Sequence, residues 1–262
     1  MESYRLEGQT FVIDDYDRKP AFSSFLPGLA GVKGIPLWTF YTNRGQGMNS
    51  FGIDNKGNAI MEFNSANTAF ENTQVKGFRT FLKIDGEYYE PFFTYEKEAK
   101  RQMRMNKNSF KIIETNEKYG IEVTVNYYVL PNESIGALVR QVSVKNIGDS
   151  AKEVQVIDGL PKIITYGIAN GEFKEMSNLF KSWADIRNLE NKVPYYTLRA
   201  STKDSAEVSD VEGGYYYLTV RDGKLQDVIY DVDTVFGYDL SLMTPVNFID
   251  GSIEGVLSKE QC

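Results

Sequence analysis

The chain has 262 residues, of which 42% are hydrophobic and 25% charged, and its formal net charge at pH 7 is −7. These values are ordinary for a soluble globular protein, and the length suffices to bury a substantial core in one domain. Lys and Arg are dispersed along the sequence, which argues against nucleic acid as the main partner because phosphate backbones need concentrated positive charge. No segment approaches the roughly 20 apolar residues that would cross a bilayer, so no membrane partner is expected.

Two residue types limit the chemistry of this chain. Histidine is absent, which excludes a Ser-His-Asp triad, a Cys-His pair, a His-ligated metal and a His general base. The single cysteine is Cys262, so no internal disulfide can form. The stretch from Met1 to Asp15 is charged early and has no continuous apolar core, which is not typical of a secretory signal. We therefore expect a cytoplasmic protein.

A glycine-dense stretch runs from Pro27 to Pro36. It lacks the spacing of a Walker A loop and does not open an evident helix, so we reject a nucleotide-binding loop. A loop that folds against a neighbouring domain is the better interpretation.

The next polar feature is Arg44-Gly45-Gln46-Gly47, between the apolar run Pro36–Tyr41 and a predicted strand at Ser50–Asp54. Two glycines around a planar amide, beside a guanidinium with a rigid fork of donors, could hold a sugar hydroxyl or an anion. The alternative is a hairpin loop with a solvated Arg44, since one glycine-rich turn is a weak motif.

Alternating apolar residues predict strands through the middle of the chain. The first runs from Phe78 to Ile84 and leads into Asp85-Gly86, a dipeptide typical of a tight hairpin. The clearest is Ile121–Val129, where apolar residues at every second position predict a strand with one buried face. Similar segments follow at Leu138–Val144 and Val154–Val156.

Frequent turn signals between short strands favour a mainly β fold, and we predict a large antiparallel β-sandwich with one short helix. The predicted helix carries an apolar stripe at three- and four-residue spacing and ends near Asn191. It either packs on the sandwich or forms an interface. Neither a repeat nor a linker divides the sequence, so a single domain is predicted from Met1 to Cys262. The stripe consists of Met176, Leu179, Phe180, Trp183, Ile186 and Leu189.

Carboxylates and aromatic residues are numerous, but neither group defines a site. Glycosidase chemistry needs two carboxyl groups across a glycosidic bond, and no such pair stands out among Asp14, Asp15, Asp158, Asp204, Asp210, Asp231 and Asp233. Aromatic rings could stack on sugars, although most aromatic residues of a sandwich belong to its core or sheet surface. The candidates are Trp38, Trp183, Tyr88, Tyr89 and Tyr215–Tyr217.

Several segments resemble the N-terminal region of cellobiose phosphorylase-like enzymes (glycoside hydrolase family 94) and of related larger oligo-β-glucan phosphorylases. The resemblance covers nearly the whole chain. Its most specific segments are Phe22–Gly28, Gly34–Trp38, Arg44–Gln46, Ser50–Gly52, Asn58–Ile60, Gly77–Phe81, Leu138–Arg140, Val144–Asn146, Asp158–Pro161 and Tyr166-Gly167. The last two resemble the larger oligoglucan-type members rather than cellobiose phosphorylase.

This resemblance implies a galactose-mutarotase-like sandwich followed by linker helices and an (α/α)6 barrel. The barrel would carry the general-acid Asp and the phosphate site. Inorganic phosphate, as co-substrate, would release a sugar 1-phosphate from a β-glucan oligosaccharide with inversion, and no metal or organic cofactor is implied. The sandwich would take part in a homodimer and lend loops to the substrate cleft. Because the sequence ends at Cys262, before any barrel, no catalytic residue is assigned, and closing strands are expected to be missing after Phe248–Gln261.

Within this resemblance, Arg44, Gln46 and Arg79 are the predicted substrate-binding residues. The segment from Tyr166 to Leu179 is the predicted subunit or domain contact. The leading hypothesis is a non-catalytic accessory and assembly domain of an inverting glycoside phosphorylase. The alternative is a free-standing carbohydrate-binding β-sandwich. An enzyme of the mutarotase type is disfavoured, because such sites use His as acid or base.

Overall fold

The computed structural model describes residues 3–93, 98–202, 206–207, 209–251 and 253. Cys262 and most of the stretch Phe248–Gln261, after which closing strands are predicted to be missing, lie outside these residues. The predicted mainly β architecture is confirmed: most elements are strands, and all strand pairs within the described residues are antiparallel. An isolated bridge between Tyr166 and Thr197 is parallel.

The strands are β1 (Tyr4–Glu7), β2 (Thr10–Asp14), β3 (Ser23–Gly28), β4 (Leu37–Thr42), β5 (Met48–Gly52), β6 (Arg79–Ile84), β7 (Glu87–Tyr89), β8 (Lys100–Met105), β9 (Phe110–Asn116), β10 (Ile121–Val129), β11 (Leu138–Asn146), β12 (Val154–Gly159), β13 (Ala184–Arg187), β14 (Tyr195–Leu198), β15 (Tyr215–Tyr216), β16 (Val220–Arg221) and β17 (Lys224–Leu225). The helices are α1 (Ala66–Val75), α2 (Asn170–Trp183), α3 (Val232–Phe236) and α4 (Val246–Asp250), with single 3-10 turns at Tyr16–Arg18, Lys56–Asn58 and Leu189–Asn191.

Three sheets enclose the main core. A six-stranded sheet has the order β1-β2-β8-β9-β10-β11, and two three-stranded sheets have the orders β3-β4-β5 and β12-β6-β7. Their inner side chains meet in one hydrophobic cluster, which includes Val125 of the first sheet, Tyr41 of the second and Leu82 of the third. Side chains from facing sheets that share one core are typical of an antiparallel sandwich.

The clearest predicted strand has the predicted bounds. β10 spans Ile121–Val129, and its side chains alternate between buried and half-buried along the whole length. It pairs with β9 on one side and β11 on the other. The predicted hairpin at Asp85-Gly86 is also confirmed, with φ of 51° and 87° between β6 and β7. Both φ values are positive, as a two-residue turn of this type requires.

The alternating sequence of β6 predicts one buried face, but in the structure both faces of this strand are buried. Leu82 faces the main core, whereas Phe81 packs with Phe236 and Phe248 in a second layer formed by α3 and α4. Phe81 and Phe236 are 5.9 Å apart between ring centroids. The short helices α3 and α4 cover a face that the sequence pattern alone leaves open.

The prediction of one short helix is wrong, since the described residues contain α1–α4. The predicted helical segment does begin inside α2, but this helix ends at Trp183 rather than near Asn191. Ile186 lies instead in β13, where it is registered opposite Tyr196 of β14. Hydrogen bonding to a neighbouring strand thus overrides the helical spacing in the last part of the stripe.

Candidate functional site

A buried polar network centres on Arg140 of β11. Its guanidinium forms an ion pair with Asp158 of β12 and donates to Gln46 Oε1 and, at 3.2 Å, to Thr80 Oγ1. Thr80 Oγ1 in turn donates to Asp158 Oδ1 at 2.6 Å. We call these four residues the Arg140 network. The Asp158 side chain is 27% exposed, so the network reaches the surface at this carboxylate.

Aromatic rings enclose the cation of this network. The Arg140 guanidinium carbon lies 5.2 Å from the centroid of the Phe78 ring and 5.7 Å from that of Tyr127. Burial raises the pKa of the Tyr127 phenol, with Arg140 acting in the opposite direction. The rings hold the guanidinium in place and shield it from water, which strengthens its attraction for Asp158.

Arg44 lies in the turn between β4 and β5. Gly45 and Gly47 have φ of 49° and 82°, and the Gly47 N–H donates to the Arg44 carbonyl at 3.0 Å. The half-buried guanidinium of Arg44 donates to the carbonyl oxygens of Asn43 and Lys19 at 2.8 and 3.2 Å. The hairpin alternative is therefore correct for the backbone, but Arg44 is bound to its own chain rather than solvated.

Gln46 is buried, and both ends of its amide have partners. Its Nε2 donates to Thr80 Oγ1 at 3.1 Å, and its Oε1 accepts from Arg140. Arg79 is also buried, but it points away from this network because neighbouring residues of a strand face opposite sides of the sheet. The structure thus places Gln46 in the Arg140 network and does not bring Arg44 or Arg79 to it.

Arg79 forms a second buried network on the outer side of β6. Its Nε and Nη2 donate to the two oxygens of Glu90 at 2.7 and 2.8 Å. The same guanidinium donates to the carbonyls of Leu242 and Met243, which lie between α3 and α4. Burial raises the pKa of the Glu90 carboxyl, and Arg79 acts against this shift. Arg79 therefore fastens the segment between α3 and α4 to the sheet.

A third network was not predicted. Arg101 of β8 pairs with Glu114 of β9 at 2.6 Å and with Asp17 at 2.5 Å. Glu114 also accepts from the Tyr89 hydroxyl and, at 2.6 Å, from the Phe92 N–H. The sequence carried a signal for it, because Glu114 is in phase with the inward-facing apolar residues of β9. A charge at an inward position indicates a buried partner.

Helix α2 divides its apolar residues between two faces. Phe173 and Phe180 are buried in a hydrophobic cluster beside the main core. Met176, Leu179 and Trp183 are 43%, 51% and 39% exposed. Leu179 and Trp183 are four residues apart and lie on one side of the helix, after a kink at Met176 (φ −127°). We call these three exposed residues the α2 outer face.

Among the residues that the structure describes, no three His, Cys, Asp or Glu side chains gather as a metal site would require. None of the helices in that part of the chain has the length and apolar character to span a membrane. No protein-family model and no curated protein matches the chain.

Proposed function

We propose that the chain is the N-terminal accessory and assembly domain of an inverting glycoside phosphorylase, acting on β-linked gluco-oligosaccharides with inorganic phosphate in the cytoplasm. The proposal rests on the segments that resemble this class and on an antiparallel β architecture of the expected kind. Its specific form would be a galactose-mutarotase-like sandwich, in an enzyme that forms a homodimer. The catalytic residues would belong to an (α/α)6 barrel.

The observation that carries the assembly role is the α2 outer face. Large apolar side chains are normally withdrawn from water, and a group of them on one helix face is typical of a contact surface. Leu179 and Trp183, with Met176 at the kink before them, are exposed apolar residues of α2. Tyr166, which is 41% exposed, begins the segment predicted as the contact. Helices of a barrel could cover this face and bury its apolar area.

The buried networks support a structural rather than a chemical role for this chain. Glu90 and Glu114 are each held by an arginine, and a carboxylate fixed in this way is poorly placed to transfer a proton. Histidine, the usual general acid or base near neutral pH, is absent from the sequence. We therefore assign proton transfer and phosphate attack to the partner domain.

Association with a barrel tests this proposal. We would produce the (α/α)6 barrel of an oligo-β-glucan phosphorylase without its own sandwich and measure complex formation with this chain by sedimentation velocity. Leu179→Asp should abolish the complex, because it places a charge in the apolar contact. Leu6→Asp, at a 70% exposed position of the edge strand β1, is the matched control and should leave the complex intact. Equal binding by both variants, or no complex with the unaltered chain, would contradict the proposed role.

A free-standing carbohydrate-binding sandwich is the second candidate, and one observation favours it. Asp158 is part-exposed, and a Cβ at the adjoining Gly159 would lie 3.8 Å from the hydroxyl of Tyr217. A carboxylate fixed by Arg140, with a phenol hydroxyl nearby, offers hydrogen-bonding groups to a sugar. Calorimetry with cello- and laminari-oligosaccharides distinguishes the candidates. Micromolar binding by the chain alone, lost in Asp158→Asn, would favour this second function over the first.

A further inference from the structure

One side of the sandwich is open between β11 and β12. Within the described residues each of these strands pairs with a single neighbour, β11 with β10 and β12 with β6. Val156 of β12 stands opposite Leu82, so its side chain points to the main core, yet it is 43% exposed. Val142 of β11 stands opposite the buried Val125 and is itself only half-buried. The apolar core is therefore incompletely covered on this side.

The backbone of β11 turns a regular row of donors and acceptors to the open side. At one end of the β10–β11 ladder the Leu130 N–H donates to the Ala137 carbonyl at 2.9 Å. At the other end the Ile147 N–H donates to the Gly120 carbonyl at 2.9 Å. Backbone groups of successive residues point to opposite sides of a strand, so every second residue between these ends faces away from β10. The residues that do so are Leu138, Arg140, Val142, Val144 and Asn146, and we call this side of the strand the β11 edge.

The two edges of the six-stranded sheet differ in length and charge. β1 has four residues, two of which are charged, as is typical of an edge protected against pairing. β11 has nine residues, and both of its charges face an opposite charge. Arg140 pairs with Asp158, and Lys145 stands opposite Glu122 in the register with β10. The β11 edge therefore has no excess charge that would repel a second copy of the chain.

We propose that a second copy of this chain covers the β11 edge, through antiparallel pairing of the two β11 strands around a two-fold axis at Val142. Leu138 of each copy then stands opposite Asn146 of the other, and Arg140 opposite Val144. Every outward-facing backbone group of β11 finds a partner in this register. The two-fold axis keeps the core-facing sides of both sheets on the same side, so each copy covers the open core of the other.

The outer face of the strand fits the same register. Gln141 stands opposite Ser143 of the second copy, and Val139 opposite Lys145, so no like charges meet. A contact of this kind uses the same surface on both copies and closes on itself, which predicts a dimer rather than a filament. The inference rests on the proposed function in that it supplies a contact for the proposed homodimer. Barrel association involves α2 instead, so the two claims can fail separately.

Sedimentation velocity of the whole chain, without any barrel, tests the contact. We expect a shift from monomer to dimer between about 1 and about 100 µM. Val142→Pro should weaken the dimer at least about tenfold, because it removes an outward N–H without breaking a bond to β10. Leu6→Pro is the matched control. The Ser3 carbonyl accepts from the Asp14 N–H, so Leu6, three positions later, turns its N–H away from β2.

The control should dimerise as the unaltered chain does. A monomer at about 100 µM, an assembly larger than a dimer, or equal dimerisation by Val142→Pro and the unaltered chain would overturn the proposal.

Two double variants test the register on exposed side chains. Gln141→Glu with Ser143→Glu places like charges opposite each other twice across the axis and should weaken the dimer about tenfold. Gln141→Lys with Ser143→Glu places opposite charges there and should leave the dimer intact. Equal dimerisation by the two double variants would refute the pairing around Val142.

Amide hydrogen exchange of the unaltered chain, followed by nuclear magnetic resonance, requires no substitution. The amides of Val142 and Val144 should exchange more slowly as the protein concentration rises, whereas that of Leu6 should not change. Exchange at Val142 and Val144 that does not depend on concentration would contradict the contact even if Val142→Pro fails to fold.

Discussion

Arg101 and Glu114 are direct cross-strand neighbours at the centre of the sandwich, and they form a buried ion pair. They stand opposite each other in the register of β8 and β9, with Nε and Oε2 2.6 Å apart and each side chain 1% exposed. Both positions face inward in strands whose other inward residues are mainly apolar. A pair of this kind contributes to stability only while both charges are present, because either one alone is a buried, uncompensated charge.

Replacing Glu114 by Leu should therefore lower the free energy of unfolding strongly. The expected loss is about 3 kcal/mol, the lower part of the range for broken buried pairs, because Asp17 still compensates part of the Arg101 charge. Denaturant unfolding measures it. Glu117→Leu is the control, since Glu117 pairs with Lys100 on the surface, and it should leave the midpoint nearly unchanged. Similar midpoints for the two variants would show that the buried pair contributes no more to the free energy of unfolding than the surface pair does.

The turn at Gly47 should tolerate no side chain. Gly47 has φ of 82°, and a Cβ there would lie 2.4 Å from ring carbons of Phe110. Gly47→Ala should cost roughly 2 kcal/mol or more, from backbone strain and displacement of the ring. Gly86→Ala provides the control: its φ of 87° is similar, but nothing lies within 4 Å. A thermal unfolding comparison in which both variants lose the same amount would mean that the contact with Phe110 contributes nothing.

Stability should fall at alkaline pH because of buried tyrosines. Burial raises the pKa of Tyr196 to about 12, above its ordinary value of 10.0. Below pH 10 the phenol is protonated in both the folded and the unfolded chain, so its full contribution to the free energy of unfolding is present. Between pH 10 and about 12 the unfolded chain loses the proton first, so the free energy of unfolding decreases as pH rises.

Denaturant midpoints at about pH 9 and about pH 11 measure this decrease. Tyr196→Phe should make the decrease smaller. Tyr238→Phe removes a hydroxyl from a side chain that is 84% exposed, and it serves as the control. A decrease of the same size in the unaltered chain and in Tyr196→Phe would exclude Tyr196 as a cause.

The three predicted substrate-binding residues should differ when each is replaced by Ala in the proposed full-length phosphorylase. Within the described residues the half-buried Arg44 guanidinium donates to main-chain carbonyls, so Arg44→Ala should cost little stability. Its predicted role in substrate binding requires that the same variant raise the KM for oligosaccharide. Gln46→Ala and Arg79→Ala should lower the unfolding midpoint, because the first removes one acceptor from the buried Arg140 guanidinium and the second leaves the buried Glu90 carboxylate without its arginine. Unchanged phosphorolysis kinetics in all three variants would remove them from the substrate cleft.

The strands were predictable where one face meets the core and the other meets solvent. β10 shows this, since its alternation survives folding along its full length. In β6 the same alternation predicts the strand but not the burial of its second face, which α3 and α4 cover. The end of α2 was missed for a related reason: Ile186 fits a helical stripe but gains a strand partner in Tyr196.

The candidate site was less predictable than the fold. Residue type and resemblance predict Arg44, Gln46 and Arg79, yet their partners depend on the fold. Arg44 and Gln46 lie in the turn between β4 and β5, and Arg79 lies on the outer side of β6. Gln46 meets Arg140, which is far away in sequence, whereas Arg79 meets Glu90 on the opposite side of β6. Helix α1 has no apolar stripe that would predict it, because its sequence is largely polar and buries few large apolar side chains.

The most direct test of the proposed function is reconstitution of phosphorolysis. The assay uses the (α/α)6 barrel of an oligo-β-glucan phosphorylase that lacks its own sandwich and recovers activity when that sandwich is added separately. Phosphate-dependent release of sugar 1-phosphate from β-gluco-oligosaccharides is then measured with and without this chain. We predict release when the chain is added, none from the chain alone, and loss of the effect in Leu179→Asp. A barrel that its own sandwich activates but this chain does not would contradict the assignment.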